Sequence, residues 1–326
     1  MTQHFRGPAT LLRTQDTIIS RRIRAAIRKQ KEGIEAPLLK FCYLGKIGAV
    51  RYAELLKSNS YSTAIREINL INRSSAELKR LPSPRRPTSL IAIGSGTGEK
   101  AARILQILSP VSSLCFTGLD ISKEMLAATE KLFGKLGISL TSQSYRTCDF
   151  DDRESFLAIS REIVFSSKYA NHLFISTGNT LANIPDHFGF LAFLANAMDI
   201  PVRFLVSLEL KPDDDNGLIE EYAGKEDLEF LSTPLNLLGL CVKDFDITIT
   251  FNDAKQRIEA SCTYRRRIEL DSGLVLHPGE KTLIGFSYKF NQDQVSEAIQ
   301  AAGLSLQLKI LDNEASQGVF IMSNRH

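Results

Sequence analysis

Three glycines at alternate positions interrupt an apolar run at residues 90–108, LIAIGSGTGEKAARILQIL. A strand that feeds a glycine-rich turn into a helix offers backbone N–H groups to a nucleotide-like ligand. Gly94, Gly96 and Gly98 allow backbone conformations that other residues disfavour, and they allow a ligand to approach closely. The dinucleotide motif has its third glycine one residue later, whereas this chain has glutamate at position 99. The spacing therefore weighs against NAD but does not exclude it.

Two further predicted strand ends carry side chains that suit an adenosyl ligand. The stretch SLCFTGLD ends in Asp120, whose carboxylate can accept the protons of both ribose hydroxyls. The next stretch ends in CDFDD, where Asp149 can accept from the adenine amino group and Phe150 can lie against the ring. Taken singly, each residue is better explained as a helix N-cap, a loop carboxylate or a core phenylalanine. Together they favour a site, because a doubly wound sheet brings its strand ends to one edge.

The elements that would position these residues alternate between strand and helix from residue 90 onward. Strand patterns occur in SLIAIG, SLCFTGLD, LTSQSYRTCDF, NHLFIST and VRFLVSLEL, with helical patterns between them. This alternation predicts a parallel, doubly wound sheet covered by helices on both faces. After about residue 212, FDITITF, RIEASCTYRRRIEL and GFSYKF alternate with period two, as half-buried antiparallel strands do. A late helix, DQVSEAIQAAG, precedes a hairpin-like pair, LQLKIL and GVFIMS.

Composition narrows the function classes. The 326 residues are 43% hydrophobic and 24% charged, as in an ordinary globular protein, and the net charge of +3 is too small to indicate nucleic-acid binding. Five scattered cysteines form no CxxC pair, and no histidine pair has metal-ligand spacing, so we expect reduced thiols and no metal. Since no run of 18 apolar residues and no signal-like start occur, we expect a cytoplasmic protein without a membrane partner.

The N-terminal part of the chain is basic and helical in pattern. In IISRRIRAAIRKQ, Ile19, Ile23 and Ile27 recur at helical spacing, with arginines on the other faces. We interpret this stretch as a solvated helix packed on its own domain. Binding to RNA or to a membrane surface is the weaker alternative, because no aromatic residues interleave with the arginines. The stretch LPSPRRPTS at residues 81–89 has three prolines and predicts a connector.

The chain resembles the histidine-specific S-adenosylmethionine-dependent methyltransferases. The order and spacing of that family are followed, from about residue 36 to the end, by the stretches IGSGTGEKAARIL, LDIS, CDF, STGNTLANIPD, LELK, EEY and GEKTLIGFSYKF. The type member of the family trimethylates the α-amino group of histidine, and fungal relatives methylate a prenylated tryptophan. The resemblance implies an α/β fold, in which a Rossmann-like class I methyltransferase domain carries a second, smaller α+β substrate lobe.

The resemblance and the changes of pattern together predict four segments. Residues 1–85 form an N-terminal helical segment that contributes to the substrate lobe, and residues 86–212 form the Rossmann-like domain that binds S-adenosylmethionine. Residues 213–290 form an insertion in the substrate lobe. Residues 291–326 form a helix and strands that complete the Rossmann-like domain.

The resemblance also implies which residues bind the cofactor and the acceptor. The cofactor positions of the family fall on Gly94, Ser95, Gly96, Lys100, Asp120, Asp149 and Phe150. Asn183 matches an asparagine that holds the amino and carboxylate groups of the acceptor, and Tyr222 and Tyr61 match tyrosines that grip the same end. Tyr43 matches a further pocket tyrosine. For Tyr61 and Tyr43 the alternative is a structural role as amphipathic side chains at a lobe interface.

Two positions depart from the pattern of the histidine-methylating members. Those proteins carry a glutamate two residues before the serine that is Ser287 here, and the two side chains together hold the imidazole. This chain has Gly285 at the glutamate position, and it has Ala260 where a pocket methionine stands. We expect a roomier pocket without an imidazole partner. Because a site that hydrogen-bonds one side chain discriminates strongly, loss of that group predicts an acceptor other than histidine.

The leading hypothesis is an S-adenosylmethionine-dependent N-methyltransferase that acts on a free amino acid or a small amine in secondary metabolism. Transfer from a sulfonium needs alignment and exclusion of water more than covalent help, so no catalytic residue is assigned. Two alternatives stay open: methylation of another heteroatom of a small natural product, and a non-catalytic methyltransferase-like binding subunit. RNA methylation is motivated only by the basic first thirty residues, and we expect no nucleic-acid partner.

Overall fold

The computed structural model describes residues 8–58, 62–82, 86–167, 170–211, 218–270 and 273–324. Tyr61, one of the expected pocket tyrosines, lies outside the described residues. The helices are α1 (Pro8–Lys31), α2 (Leu39–Cys42), α3 (Gly45–Leu55), α4 (Ser62–Arg73), α5 (Ser75–Leu78), α6 (Glu99–Leu108), α7 (Lys123–Leu136), α8 (Arg153–Ser166), α9 (His187–Asn196), α10 (Lys225–Leu231), α11 (Thr233–Leu237) and α12 (Gln292–Ala301). The strands are β1 (Thr88–Ile93), β2 (Leu114–Asp120), β3 (Ser142–Thr147), β4 (Asn171–Ser176), β5 (Val202–Glu209), β6 (Phe245–Asn252), β7 (Arg257–Tyr264), β8 (Ile268–Leu270), β9 (Leu274–Leu276), β10 (Lys281–Tyr288), β11 (Ser305–Leu311) and β12 (Gln317–Ser323).

The chain folds into two compact units. The large unit comprises Tyr61–Asn216 and Tyr288–His326, and the small unit comprises Met1–Ser60 and Gly217–Ser287. The predicted N-terminal segment 1–85 is therefore divided near residue 60, which corrects the first expected boundary. The physical reason lies in α4 and α5, whose Leu70 and Leu78 are buried in the same apolar core as Ile104 of α6.

The large unit is a doubly wound α/β structure. In the described part of the chain, seven strands form its sheet in the order β11-β12-β5-β4-β1-β2-β3. Strands β1 to β5 run parallel, whereas β12 is antiparallel to β5, and β11 is antiparallel to β12. The expected parallel sheet and the expected closing hairpin are both present. All six residues of β1 are buried because helices cover both faces, whereas β3, at the edge, is largely polar.

Two apolar cores lie on the two faces of this sheet. Ile91 and Phe174 point into one core together with residues of α8, α9 and α12. Leu90 and Leu173, which are their neighbours along the strands, point into the other core, beside α4, α5 and α6. This alternation follows from the two-residue period of a strand. Because β1 to β4 run parallel, their carboxyl ends meet at one edge of the sheet.

The small unit combines helices with antiparallel strands. Its larger sheet has the order β10-β7-β6, and β8 pairs with β9 in a separate ribbon. Helix α1 buries Ile19, Ile23 and Ile27, and its Arg21 and Arg28 are exposed, as the spacing predicts. The Gln30 amide of α1 binds the backbone of β10, since it donates to the Leu283 carbonyl at 2.9 Å and accepts from the Leu283 N–H at 2.7 Å.

The described residues were also searched for disulfides, metal-binding clusters and membrane-spanning helices. The five cysteines form no disulfide. Across the part of the chain that the structure describes, no group of three His, Cys, Asp or Glu side chains is arranged to hold a metal ion. No described helix combines the length and the apolar character that a membrane span requires.

Candidate active site

The glycine turn after β1 is held in a conformation that depends on its glycines. Gly94, Gly96 and Gly98 have φ angles of 71°, 54° and 87°, in the left-handed region that other residues disfavour. A Cβ atom on Gly94 would lie 2.7 Å from the Thr180 side chain, and one on Gly98 would lie 2.7 Å from Thr129. The glycines therefore serve both the turn and its close packing.

Asp120, at the end of β2, is joined directly to this turn. Its Oδ2 atom accepts from the Gly96 N–H at 2.8 Å, and its Oδ1 atom accepts from the Ser122 N–H at 2.9 Å. The side chain is buried, and burial raises the pKa of its carboxyl group, against the lowering effect of these backbone bonds. The Thr129 hydroxyl donates to the Gly96 carbonyl at 2.9 Å and lies 3.2 Å from the Ser95 hydroxyl.

The end of β3 places Asp149 and Phe150 at the same edge of the sheet, since β2 and β3 are parallel neighbours. Both side chains are half-buried. The Asp149 Oδ1 atom accepts from the Asp151 N–H at 3.2 Å, and the Phe150 ring packs edge-on against Phe156 with 5.5 Å between centroids. We call the site formed at the ends of β1, β2 and β3 the cofactor edge; it comprises residues 94–98, Lys100, Asp120, Asp149 and Phe150.

Lys100, in the first turn of α6, forms a buried ion pair that the sequence analysis missed. Its Nζ atom lies 2.8 Å from the Oε2 atom of Glu67, and the two side chains are 13% and 1% exposed. Both carboxylate oxygens of Glu67 also accept from the Gly178 N–H, at 2.8 and 3.1 Å. One feature of the sequence does indicate this burial: Glu67 lies on the apolar face of α4, between Ala64 and Leu70.

Asn183 ends a short 3-10 turn, Leu181–Asn183, in the loop that follows β4. The loop turns sharply, because Gly178 and Asn179 have φ angles of 69° and 61°. The Asn179 Oδ1 atom accepts from the backbone N–H of Glu209 at 3.2 Å. Asn183 itself is half-buried, and its backbone N–H bonds the Thr180 carbonyl at 3.2 Å.

A second buried ion pair lies beside this loop. The Glu209 Oε2 atom is 2.7 Å from the Lys289 Nζ atom, and the two side chains are 2% and 0% exposed. Arg66 of α4 approaches the other oxygen of Glu209 at 3.7 Å. Glu209 and Lys289 lie in the stretches LELK and GFSYKF, and nothing in either stretch indicates that these two charges are buried together.

The other acceptor residues lie in the small unit. Tyr43, just after α2, packs with Tyr52 and Phe230, with ring centroids 5.2 and 5.0 Å away. Tyr222 is half-buried at the end of a 3-10 turn. The predicted acceptor residues are thus divided, with Asn183 in the large unit and the others that the structure describes in the small unit.

Ala260, Gly285 and Ser287 lie on neighbouring strands of the small unit, β7 and β10, which we call the acceptor strands. All three residues are buried. A Cβ atom on Gly285 would lie 2.9 Å from the Cβ atom of Leu39 and 3.2 Å from its Cδ1 atom. The expected empty space beside Gly285 is therefore absent, because the isobutyl group of Leu39 occupies it.

Comparison with known proteins identifies the family. Residues 21–324 match the family described as histidine-specific methyltransferase, SAM-dependent. The chain belongs to this family. It is also similar to a histidine N-alpha-methyltransferase of Mycobacterium tuberculosis (strain CDC 1551 / Oshkosh), at 25% identity over 276 residues, covering 79% of this chain and 81% of that protein.

Two solved methyltransferases show more distant similarity. Magnesium protoporphyrin IX methyltransferase from Synechocystis PCC 6803, crystallised with S-adenosylhomocysteine, is 12% identical with a TM-score of 0.45, covering 87% of this chain and 97% of that one. N,N-8-amino-8-demethyl-D-riboflavin dimethyltransferase from Streptomyces davawensis is 15% identical with a TM-score of 0.45, covering 98% of this chain and 71% of that one.

The methyltransferase assignment confirms the predicted family, cofactor and fold class. The chain is an S-adenosylmethionine-dependent methyltransferase, its large unit has the Rossmann-like α/β sheet, and family membership implies a small-molecule acceptor. The cofactor edge suits this cofactor chemically. It offers a buried carboxylate at a strand end, a glycine turn that leads into a helix, and an ammonium group.

Proposed function

We propose that this methyltransferase acts on a nitrogen of a free amino acid or a small amine, and that histidine is not its preferred acceptor. The proposal is carried by one observation: Leu39 packs against Gly285, where histidine-methylating relatives present a carboxylate. An apolar side chain cannot accept a hydrogen bond from an imidazole N–H. Of the two groups that hold the imidazole in those relatives, this chain keeps only the serine, Ser287, and a site that leaves one polar group of its substrate unpaired binds that substrate poorly.

We further propose how the cofactor edge holds S-adenosylmethionine, which supplies a methyl group already activated on a sulfonium. Asp120 would bind the ribose hydroxyls, Asp149 the adenine amino group, and Phe150 the face of the ring. Gly94, Ser95 and Gly96 would line the turn against the ligand. Lys100 would bind the methionine carboxylate, since an ammonium carries three N–H donors and can serve two carboxylates at once.

For the acceptor, we propose that Asn183 and Tyr222 bind the amino and carboxylate groups, with Tyr61 at the same end. Tyr43, Ala260, Gly285 and Ser287 would surround the rest of the molecule. The reacting nitrogen must be neutral, so the ammonium group has to lose its proton to water or to a weak base before methyl transfer. The Asn183 amide oxygen or the Tyr222 hydroxyl would orient the nitrogen, and alignment would supply most of the rate.

The wider assignment follows from the same proposal. We place the enzyme in the cytoplasm, a location supported by the five cysteines without a disulfide. We assign the small unit the role of a substrate lobe, in the biosynthesis of an amino-acid derivative.

A methyl-transfer screen tests the proposed acceptor class. Purified protein and S-adenosylmethionine are incubated with histidine, with aromatic amino acids, with aliphatic amino acids and with small aromatic amines, and release of S-adenosylhomocysteine is measured. We expect the highest kcat/KM for an acceptor whose distal part is apolar or aromatic. Histidine as the best acceptor would overturn the proposal. A heat-treated sample and a sample without acceptor control for background hydrolysis.

A further inference from the structure

Glu67 contacts both Lys100, which we assign to the cofactor, and the loop after β4, which carries the acceptor residue Asn183. It comes from α4, Lys100 comes from the first turn of α6, and Gly178 comes from the loop after β4. We propose that Glu67 is a positioning residue that couples cofactor binding at Lys100 to the conformation of the 177–183 loop. The inference rests on the proposed function only for the roles of Lys100 and Asn183.

The geometry concentrates three groups at one buried point. The carboxylate of Glu67 is 1% exposed, and it receives the ammonium of Lys100 at 2.8 Å and the N–H of Gly178 at 2.8 Å. A Cβ atom on Gly178 would lie 2.9 Å from the Lys100 Nζ atom, so the ammonium lies directly against the loop backbone. The left-handed φ of 69° at Gly178 adds a second reason for glycine at this position.

Simple packing does not account for this arrangement. Apolar side chains of similar volume usually stabilise a core as well as a buried ion pair does, because both charges lose their hydration. Here the carboxylate also fixes a backbone N–H at the sharpest point of the loop. The next residue, Asn179, is bonded through its side chain to the backbone of Glu209, so both adjacent left-handed residues are held.

Coupling follows from the shared ammonium. When the carboxylate of the cofactor binds the Lys100 ammonium, that ammonium interacts with two carboxylates. The ion pair between Lys100 and Glu67 must then weaken, and the bond between Glu67 and the Gly178 N–H must change with it. Glu67 passes that change to Gly178, five positions before Asn183. By linkage, the loop conformation must affect cofactor affinity by the same factor.

Hydrogen–deuterium exchange with S-adenosylhomocysteine as the probe tests this coupling without an acceptor. In the parent protein, we expect the probe to slow exchange in the 177–183 loop by at least about fivefold, besides slowing exchange in the glycine turn. Protection of the glycine turn alone would overturn the proposal. Failure of the parent to bind the probe would instead contradict the assignment of the cofactor edge.

Two variants then separate coupling from direct contact between the probe and the loop. Glu67→Gln keeps an oxygen for the Gly178 N–H but removes the charge that holds Lys100, and Glu67→Asp keeps the charge but shortens the reach. In either variant, we expect the probe still to protect the glycine turn but to change loop exchange by less than about twofold. Glu77→Gln, on α5, is the matched control and should behave like the parent. Undiminished loop protection in the Glu67 variants would overturn the proposal. If neither variant folds, loop protection of at least about fivefold in the parent supports the proposal, and protection of the glycine turn alone overturns it.

Discussion

The cofactor edge and the acceptor strands differ in where their contacts come from. At the cofactor edge, residues within one strand-turn-helix stretch and at adjacent strand ends hold one another, as when Asp120 accepts from Gly96 and Ser122. At the acceptor strands, the neighbour that decides the space beside Gly285 is Leu39, from an early helix. A ligand site built from backbone turns can therefore be recognised from a short stretch of sequence. A pocket lined by side chains cannot, because the residues that fill it come from distant parts of the chain.

The largest expected effect comes from a long-range pair inside the large unit. Lys289→Met removes the cation nearest to the buried Glu209 carboxylate, which keeps the Thr63 hydroxyl at 3.4 Å and Arg66 at 3.7 Å, and we expect it to lower the free energy of unfolding by about 3–5 kcal/mol. Urea unfolding followed by circular dichroism measures this change. Lys281→Met, at an exposed position on β10, should change stability by less than about 0.5 kcal/mol. Equal stability of the two variants would show that the buried pair does not stabilise the fold.

Asp120→Ala tests the cofactor edge. Because a hydrogen bond to a charged group contributes about 1.5–3 kcal/mol, we expect S-adenosylhomocysteine affinity to fall by a factor of roughly 10 to 150, measured by isothermal titration. Asp253→Ala, an exposed aspartate between β6 and β7, is the control and should bind as the parent does. Unchanged affinity in Asp120→Ala would remove this carboxylate from the cofactor site.

A double substitution tests whether the missing carboxylate at position 285 determines the choice of acceptor. Gly285→Glu alone forces its Cβ atom into Leu39, whereas Leu39→Gly with Gly285→Glu removes the Cβ atom and the δ methyls of Leu39 and supplies the missing carboxylate. We expect the double variant to raise the kcat/KM of histidine relative to an aromatic acceptor by about tenfold to a hundredfold. Adding Ala260→Met should preserve that shift. Leu39→Gly alone controls for the change of volume, and an equal shift in that variant would contradict the role of the carboxylate.

The smallest expected effect concerns the amino and carboxylate end of the acceptor. Asn183→Ala and Tyr222→Phe each remove one uncharged partner from an acceptor end that several residues hold, so we expect KM for the best acceptor of the screen to rise by a factor of roughly 2 to 10. Affinity for S-adenosylhomocysteine should stay within about twofold of the parent. Loss of cofactor affinity in both variants would mean that these residues do not belong to the acceptor site.

The parts of the fold that follow from local pattern were predictable. The strand series from β1 to β5, the helix that begins at Glu99, and the antiparallel β11–β12 pair all follow from periodicity and glycine turns. The assignment of residues 62–82 was not predictable in this way. An amphipathic helix shows that it buries one face, but its sequence does not say which sheet covers that face.

The missed site residues share a different physical reason. A buried ion pair such as Glu67–Lys100 or Glu209–Lys289 looks in sequence like two ordinary solvated charges, because only tertiary packing brings the partners together. The space beside Gly285 could not be predicted, for a related reason. Replacing a large side chain by glycine predicts a cavity, but interiors are close-packed, and here Leu39 takes the volume.

The loss of the carboxylate that binds the imidazole is tested most directly by the binding of histidine to protein saturated with S-adenosylhomocysteine, measured by isothermal titration. We propose that the cofactor edge keeps the chemistry of the family, whereas the acceptor strands keep Ser287 but have lost the carboxylate that binds the imidazole. We expect the protein to bind S-adenosylhomocysteine and then to show no measurable affinity for histidine. Tight binding of histidine to the unmodified protein would contradict the claim.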